Sequence, residues 1–328
     1  MLLLNPGTAP RRAMLPVAEP AVGQDGAVWI DLLSPTEAER AEAERVTGLR
    51  VPSEAELSEV ESSSRLLAEG DTLYLSTPMS YRTSEGVSMT TPLGFVLSPR
   101  HMLTIRFAQL PVFDVFAARF AQPGPASHSS AAAFVGLLEA VVDRLADVLE
   151  WVGRELDSIS KRVFRAETES QRNASRVDAE LRATLRSIGR LGDTVSNLRD
   201  SLVGVNRIVH YVAETASPWI SKDLRPRFKT LWKDVASLAD YDAQLNNKVQ
   251  FLLDATLGFI NIEQANGIKV LTVVSVVGVP PTLVASIYGM NYQHMPELSW
   301  QYGYLYGLVM IALSAILPLA WFKWRGWV

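Results

Sequence analysis

No cysteine occurs among the 328 residues. Disulfide frameworks, thiolate zinc sites, iron–sulfur clusters and thiol nucleophiles are thereby excluded. Histidine is scarce: His101, His128, His210 and His294 are the four, and no two share metal-ligand spacing. Positive charge is not in excess. Lys and Arg number 31 against 35 Asp and Glu, a net of −4, so there is no overall basic surface for nucleic acid. Walker A, GxGxxG, HExxH and G-x-S-x-G patterns are missing, and no enzymatic chemistry is read. The apolar run at Met1–Leu4 is too short for a signal peptide, so the N-terminus is expected in the cytosol. Hydrophobic residues at 48% with charged residues at 20% exclude a disordered chain, which needs few of the first and a large net charge.

Charge is missing most conspicuously from two late stretches. Val270 to Tyr288 holds none over 19 residues, and Tyr302 to Phe322 none over 21. At about 1.5 Å per residue the first covers roughly 28 Å, close to the hydrocarbon core of a bilayer. Lys269 precedes the first run; Lys323 and Arg325 follow the second. The connection from Met290 to Gln301 has no Lys or Arg and one acid, Glu297. By the positive-inside rule both termini are cytosolic and the short loop is outside. Trp300, Tyr302, Tyr304, Trp321, Trp324 and Trp327 sit near the span ends, as an aromatic belt would.

Upstream, residues 1–125 read as an α/β domain. Ala27–Leu33, Leu73–Tyr81, Thr91–Leu97 and His101–Phe107 are strand-like. Ser34 or Thr36 caps one helix and Ser53 another. The acids Glu54, Glu56, Glu59 and Glu61 are read as the solvated faces of that second helix. A boundary is expected at Gln122–Pro125. Phe134, Leu137, Leu138, Val141, Leu145, Val148, Val152, Leu156, Ile159 and Val163 then recur at helical spacing. A second helix is expected from Arg176 to Glu214, after the polar stretch at Gln171 and Asn173. A third begins near Arg227, with the stripe Leu231, Val235, Leu238, Tyr241, Leu245, Val249, Leu252, Leu257 and Ile260, and runs into the first apolar span. Such a helix, roughly 95 Å long, needs company along its length, which predicts a homo-oligomer. The domains expected are 1–125, a helical stalk over 126–265, and a two-helix membrane part over 266–328.

Two spans cannot enclose a hydrophilic path alone, so a pore requires several copies around an axis. In the first span Ser275, Thr282 and Ser286 fall on one stripe, with Val279 between them and Leu271 and Ile268 below. Hydroxyls alternating with aliphatic side chains suit a cation path with a hydrophobic gate. The same hydroxyls suit bonds to their own helix carbonyls. Pro280–Pro281 removes two amide donors and should bend or loosen the span. Gly303 and Gly307 form a GxxxG pair in the second span.

Tyr288-Gly289-Met290-Asn291, followed by Met295-Pro296-Glu297-Leu298, resembles the CorA family of divalent-cation transporters. Asn261-Ile262-Glu263-Gln264 and the basic, Trp-containing C-terminus match it as well. The resemblance implies a homopentamer with a funnel-shaped cytosolic part, lying in the inner membrane and contacting lipids. It implies Gly289, Met290 and Asn291 as an outer selectivity ring, Glu297 as an acid at the mouth, and Ser286, Thr282, Val279, Ser275, Leu271 and Ile268 as pore lining. Mg²⁺ would be the transported ion, with Co²⁺ and Ni²⁺ as companions, and no other cofactor is implied. Family members also hold regulatory Mg²⁺ through cytosolic acids, for which Asp234, Asp240 and Asp242 are the candidates. Many relatives carry Asn directly after the Glu-Gln pair; here Ala265 stands there, with Asn266 next. A zinc-preferring, possibly proton-coupled transporter of the ZntB branch is the alternative.

Overall fold

The computed structural model describes residues 2–6, 13–14, 27–59, 61, 65–121, 129–169, 174–215, 219–290, 295 and 300–327. The expected boundary at Gln122–Pro125 and the polar stretch at Gln171 and Asn173 lie outside them. The chain falls into two compact units, Met1–Phe164 with Thr184–Leu253, and Arg165–Ala183 with Asp254–Val328.

The first unit is built on a seven-stranded mixed sheet of order β2-β1-β3-β7-β6-β5-β4. Its strands are β1 (Leu2–Pro6), β2 (Ala13–Met14), β3 (Ala27–Leu33), β4 (Leu66–Glu69), β5 (Thr72–Arg82), β6 (Ser88–Leu97) and β7 (Met102–Arg106). The central pair, β3 and β7, is parallel, with Trp29 opposite Met102 and Leu33 opposite Arg106; the other pairings are antiparallel. Both faces are covered, so β7 is buried at every position, as expected of a strand between two layers. One face buries Ile30, Leu32, Val96, Leu103 and Ile105 with Ala43 of α1 (Glu37–Thr47) and Leu57 of α2 (Glu54–Leu57). The other carries Trp29 and Phe95. Trp29 meets Phe116 and Phe120 of α3 (Pro111–Phe120) edge-on, and Phe95 meets Phe134 of α4 (Ser130–Glu169).

Helix starts follow the expected chemistry. Thr36, not Ser34, caps α1, and Ser53 caps α2; each forms a capping box, with Glu39 and Glu56 respectively. The α2 helix is four residues long, so Glu59 and Glu61 lie beyond it and are not on a helical face. Glu56 is held by the box and by Arg50 (2.5 Å), which keeps its carboxyl below the usual range, the backbone bond from Ser53 being the largest cause.

The long helices are α4, α5 (Ala174–Thr215) and α6 (Arg225–Tyr288), followed by α7 (Gly303–Trp324). The α4 stripe is buried as expected except that Val148 is half-buried and Leu149 is fully buried. Close approach is bought with glycine at two points: a Cβ at Gly204 of α5 would strike Thr77 on β5, and one at Gly153 of α4 would strike the Tyr241 hydroxyl on α6. Arg227 of α6 forks onto Glu139 of α4 (2.6 and 2.9 Å), and Lys248 meets Asp157 (2.5 Å).

On α6 the buried side departs from the expected stripe. Leu257 is 42% exposed, while Asp242 and Thr256 are buried. The buried positions 231, 235, 242, 245, 249, 252 and 256, with half-buried Leu238 between them, alternate steps of four and three. This is the spacing of a heptad seam, and it includes polar residues that an apolar-only stripe steps around.

Candidate cation path

Among the described residues two helices are long and apolar enough to cross a membrane, α6 and α7. Their most apolar 18-residue windows are 0% and 6% buried within the chain. Helix α6 runs unbroken through Pro280 and Pro281, so the double proline does not end it. It leaves the carbonyls of Val276 and Val277 without their usual amide partners.

Because α6 is continuous, its faces follow from about 100° of rotation per residue. Ile268, Leu271, Ser275, Val279, Thr282 and Ser286 share one side, and all six are exposed within the chain. Val273, Val277, Pro281, Val284 and Tyr288 are among the half-buried residues of the span; their mean direction is roughly 160° from that of the first set. The stripe therefore faces away from the chain's own packing.

Each hydroxyl on the stripe is committed as a donor. Ser275 Oγ donates to the Leu271 carbonyl (2.9 Å), Thr282 Oγ1 to Gly278 (2.9 Å) and Ser286 Oγ to Thr282 (2.7 Å). The two readings of these hydroxyls are thus compatible. With its proton spent on the helix, each oxygen offers only lone pairs outward.

At the upper end Gly289 donates to the Ala285 carbonyl (2.9 Å) and Met290 to that of Ile287 (3.3 Å). A Cβ at Gly289 would sit 3.2 Å from the Ala285 oxygen, tight for any other residue. Met290 is 47% exposed. Asn291, Glu297 and His294 lie outside the described residues. At the lower end, Asn266 is rotated about 160° from Ile268, on the opposite side of the helix. Gln264 is about 40° from Ile268 and Asn261 about 20°; both are exposed. The stripe thus extends downward at the same alternation of threes and fours, a signal readable in the sequence beyond the point where the apolar run ends.

The cytosolic acids are not brought together. Asp234 and Asp240 are exposed and Asp242 is buried. Among the described residues no group of three or more His, Asp or Glu could hold a metal ion. Asp242 is the unusual one: its Oδ1 has no hydrogen-bond partner. Burial pushes its carboxyl up to about 6, with Arg199 opposing and Asp200 reinforcing the shift.

Residues 24–324 match the family described as CorA-like Mg²⁺ transporter protein. The chain belongs to the CorA family. The magnesium transport protein CorA of Escherichia coli K12 is 28% identical over 302 residues, 92% of each chain. The solved structure of the CorA magnesium transporter from Methanocaldococcus jannaschii covers 94% of the chain and 95% of its own at a TM-score of 0.75 and 18% identity. The cytoplasmic domain of ZntB from Vibrio parahaemolyticus covers 79% of the chain and 97% of its own, at a TM-score of 0.51 and 11% identity. The resemblance carried by Tyr288-Gly289-Met290-Asn291 thus extends over nearly the whole CorA fold, not only its membrane end.

Proposed function

We propose that the chain is one subunit of a homopentameric channel that admits Mg²⁺ passively across the inner membrane, with both termini in the cytosol. The observation that carries this reading is the exposed stripe from Ile268 to Ser286, followed in the sequence by Gly289-Met290-Asn291, in a chain of the CorA family. Mg²⁺ dehydrates reluctantly and keeps its waters. A hydrated Mg²⁺ points water hydrogens outward, so its path must accept hydrogen bonds. The serine and threonine oxygens of the stripe, their own protons spent on the helix, are acceptors of that kind. The Asn291 carboxamides and Gly289 carbonyls form the outer ring, and Glu297 raises the local cation concentration at the mouth. Entry of a doubly charged ion gains about 4.6 kcal/mol per 100 mV, inside negative, so no ATP chemistry is required. Val279, Leu271 and Ile268 supply the apolar constriction.

The parts divide as 1–125, 126–265 and 266–328, with the first two serving as the regulatory body. Asp234 and Asp240, exposed on the stalk, hold a regulatory ion only together with acids from a neighbouring subunit. The likeness to ZntB keeps a zinc-transporting variant of the same pore as the competing reading.

Purified protein in liposomes distinguishes the two. Mg²⁺ flux with Co²⁺ and Ni²⁺ as lesser cargo, insensitive to a pH gradient, supports the magnesium reading; Zn²⁺ flux that follows the pH gradient supports the other. Asn291→Ala should reduce Mg²⁺ flux to that of empty liposomes while the assembly keeps its size. Normal flux in this variant would sink the selectivity ring.

A further inference from the structure

The basic end of the membrane hairpin is more organised than a positive-inside bias requires. Helix α7 closes with Gly326 in the left-handed region (φ 70°). Trp327 N–H then returns to the Phe322 carbonyl (2.9 Å) and Gly326 N–H to Lys323 (3.1 Å). This fold-back lays the Trp327 ring on Phe322, with centroids 5.4 Å apart and planes at 27°. Phe322 is the buried residue of α7. The Lys269 ammonium, from α6, lies 5.5 Å from the Trp327 ring, and the Arg325 guanidinium 5.6 Å from that of Trp321. Two cations, one on α6 and one at the C-cap of α7, are thus stationed on aromatic faces, and Lys323 is in the last turn of α7.

Among the described residues from 266 onward, no acidic side chain answers them. Between Asn266 and Val328 the only acidic side chain in the sequence is Glu297, which falls between α6 and α7. Among the described residues none of the three cations has an ion pair. Three cations at this end of the two helices without an acidic side chain to answer them favour an anion from outside the chain. An anion that relieves them must also tolerate the exposed apolar windows immediately beyond and the tryptophans at headgroup level.

We propose that Lys269, held on Trp327, and Arg325, held on Trp321, form together with Lys323 a binding site for the phosphate of an anionic phospholipid. This rests on reading α6 and α7 as membrane spans. The lack of an acidic side chain among the described residues from 266 onward makes the site selective: the ammonium of a zwitterionic headgroup finds no side-chain partner there and is repelled by the cations. A free phosphate satisfies the charges but not the apolar surface beside them.

The test uses full-length protein in detergent with an equal mixture of phosphatidylglycerol and phosphatidylcholine, the retained lipid being counted by native mass spectrometry. The expected result is a preference for phosphatidylglycerol that falls about fivefold for each basic side chain removed, and so about 25-fold in K323Q/R325Q. The charge-preserving pair K323R/R325K should keep it, which guards against a merely misfolded variant. Soluble glycerol 3-phosphate should leave the bound lipid in place. Equal retention of the two lipids by the unaltered protein, undiminished preference in K323Q/R325Q, or displacement by glycerol 3-phosphate would each overturn the proposal. Mg²⁺ flux measured on the same preparations separates the two readings: flux lost with the preference intact counts against transport alone, and the reverse against the lipid site alone.

Discussion

Asp31 and Asp242 are both buried carboxylates, and their neighbours give them opposite characters. Asp31 on β3 accepts hydrogen bonds from Thr104 Oγ1 (2.7 Å) and from Arg106 Nη2 (2.8 Å) and Nε (3.2 Å). Thr104 in turn accepts from Trp29 Nε1 (3.0 Å), and Arg106 lies over the Phe113 ring. Removing one member of such a pair strands the other charge, at a cost of about 3–5 kcal/mol. Asp31→Ala should therefore lower the melting temperature of the detergent-solubilised protein by several degrees, whereas replacing both partners, Asp31→Leu with Arg106→Met, should recover most of it. A double variant as unstable as the single one would show that the stranded charge is not the cause. Asp242 lacks such partners. Its carboxyl is raised from 3.8 to about 6, so the folded state prefers it protonated. The stabilisation is complete below about pH 4 and is lost as pH rises through 6, a difference on the order of 3 kcal/mol. Asp242→Asn should raise the melting temperature at pH 8, change little at pH 4, and flatten the profile between. An unchanged profile would mean that Asp242 is solvated in the assembled protein.

The heptad seam of α6 explains both where Asp242 sits and why it is hard to read in advance. Hydrophobic spacing makes the long helices legible over tens of residues, and the α4 stripe fails only at Val148. The same procedure ranks Asp242 and Thr256 as surface because they are polar, although positions 242 and 256 continue the spacing of Leu231, Val235, Leu245, Val249 and Leu252. Short elements escape for a different reason. The two-residue β2, the edge strand β4 and the ten-residue α3 are too brief for a period to emerge, and partners distant in sequence hold them. The candidate path is legible at its upper end, where Gly289-Met290-Asn291 is a motif. It is obscure at its lower end, where only the rotation of α6 tells Gln264 from Asn266. That rotation is testable. Gln264→Leu should lower Mg²⁺ flux several-fold by removing a water-binding amide beside Ile268, and Asn266→Leu, on the far side, should leave it near normal. The reverse order would mean that α6 is twisted out of its regular phase near residue 265.

At the scale of the whole molecule, the exposed stripe is a surface without an occupant inside the chain. Ile268, Leu271 and Val279 are each more than 60% exposed on one side of α6. That is unfavourable against water and unnecessary against lipid, where hydroxyls such as Ser275 and Ser286 contribute nothing. The proposed ring of subunits would resolve the mismatch, because the stripe would then face neither solvent but its own copies around a narrow path. The missing cysteine makes this directly measurable, since any introduced thiol is the only one in the chain. Val279→Cys should form disulfide-linked dimers on mild oxidation, and its flux should be blocked by cadmium. Val277→Cys, on the half-buried face, should do neither. Amine cross-linking of the unaltered protein should give a ladder ending at five subunits. Dimers from Val277→Cys in place of Val279→Cys would turn the helix around and move the path to the other face, and a ladder ending below five would leave the stripe too few neighbours to enclose a hydrated ion.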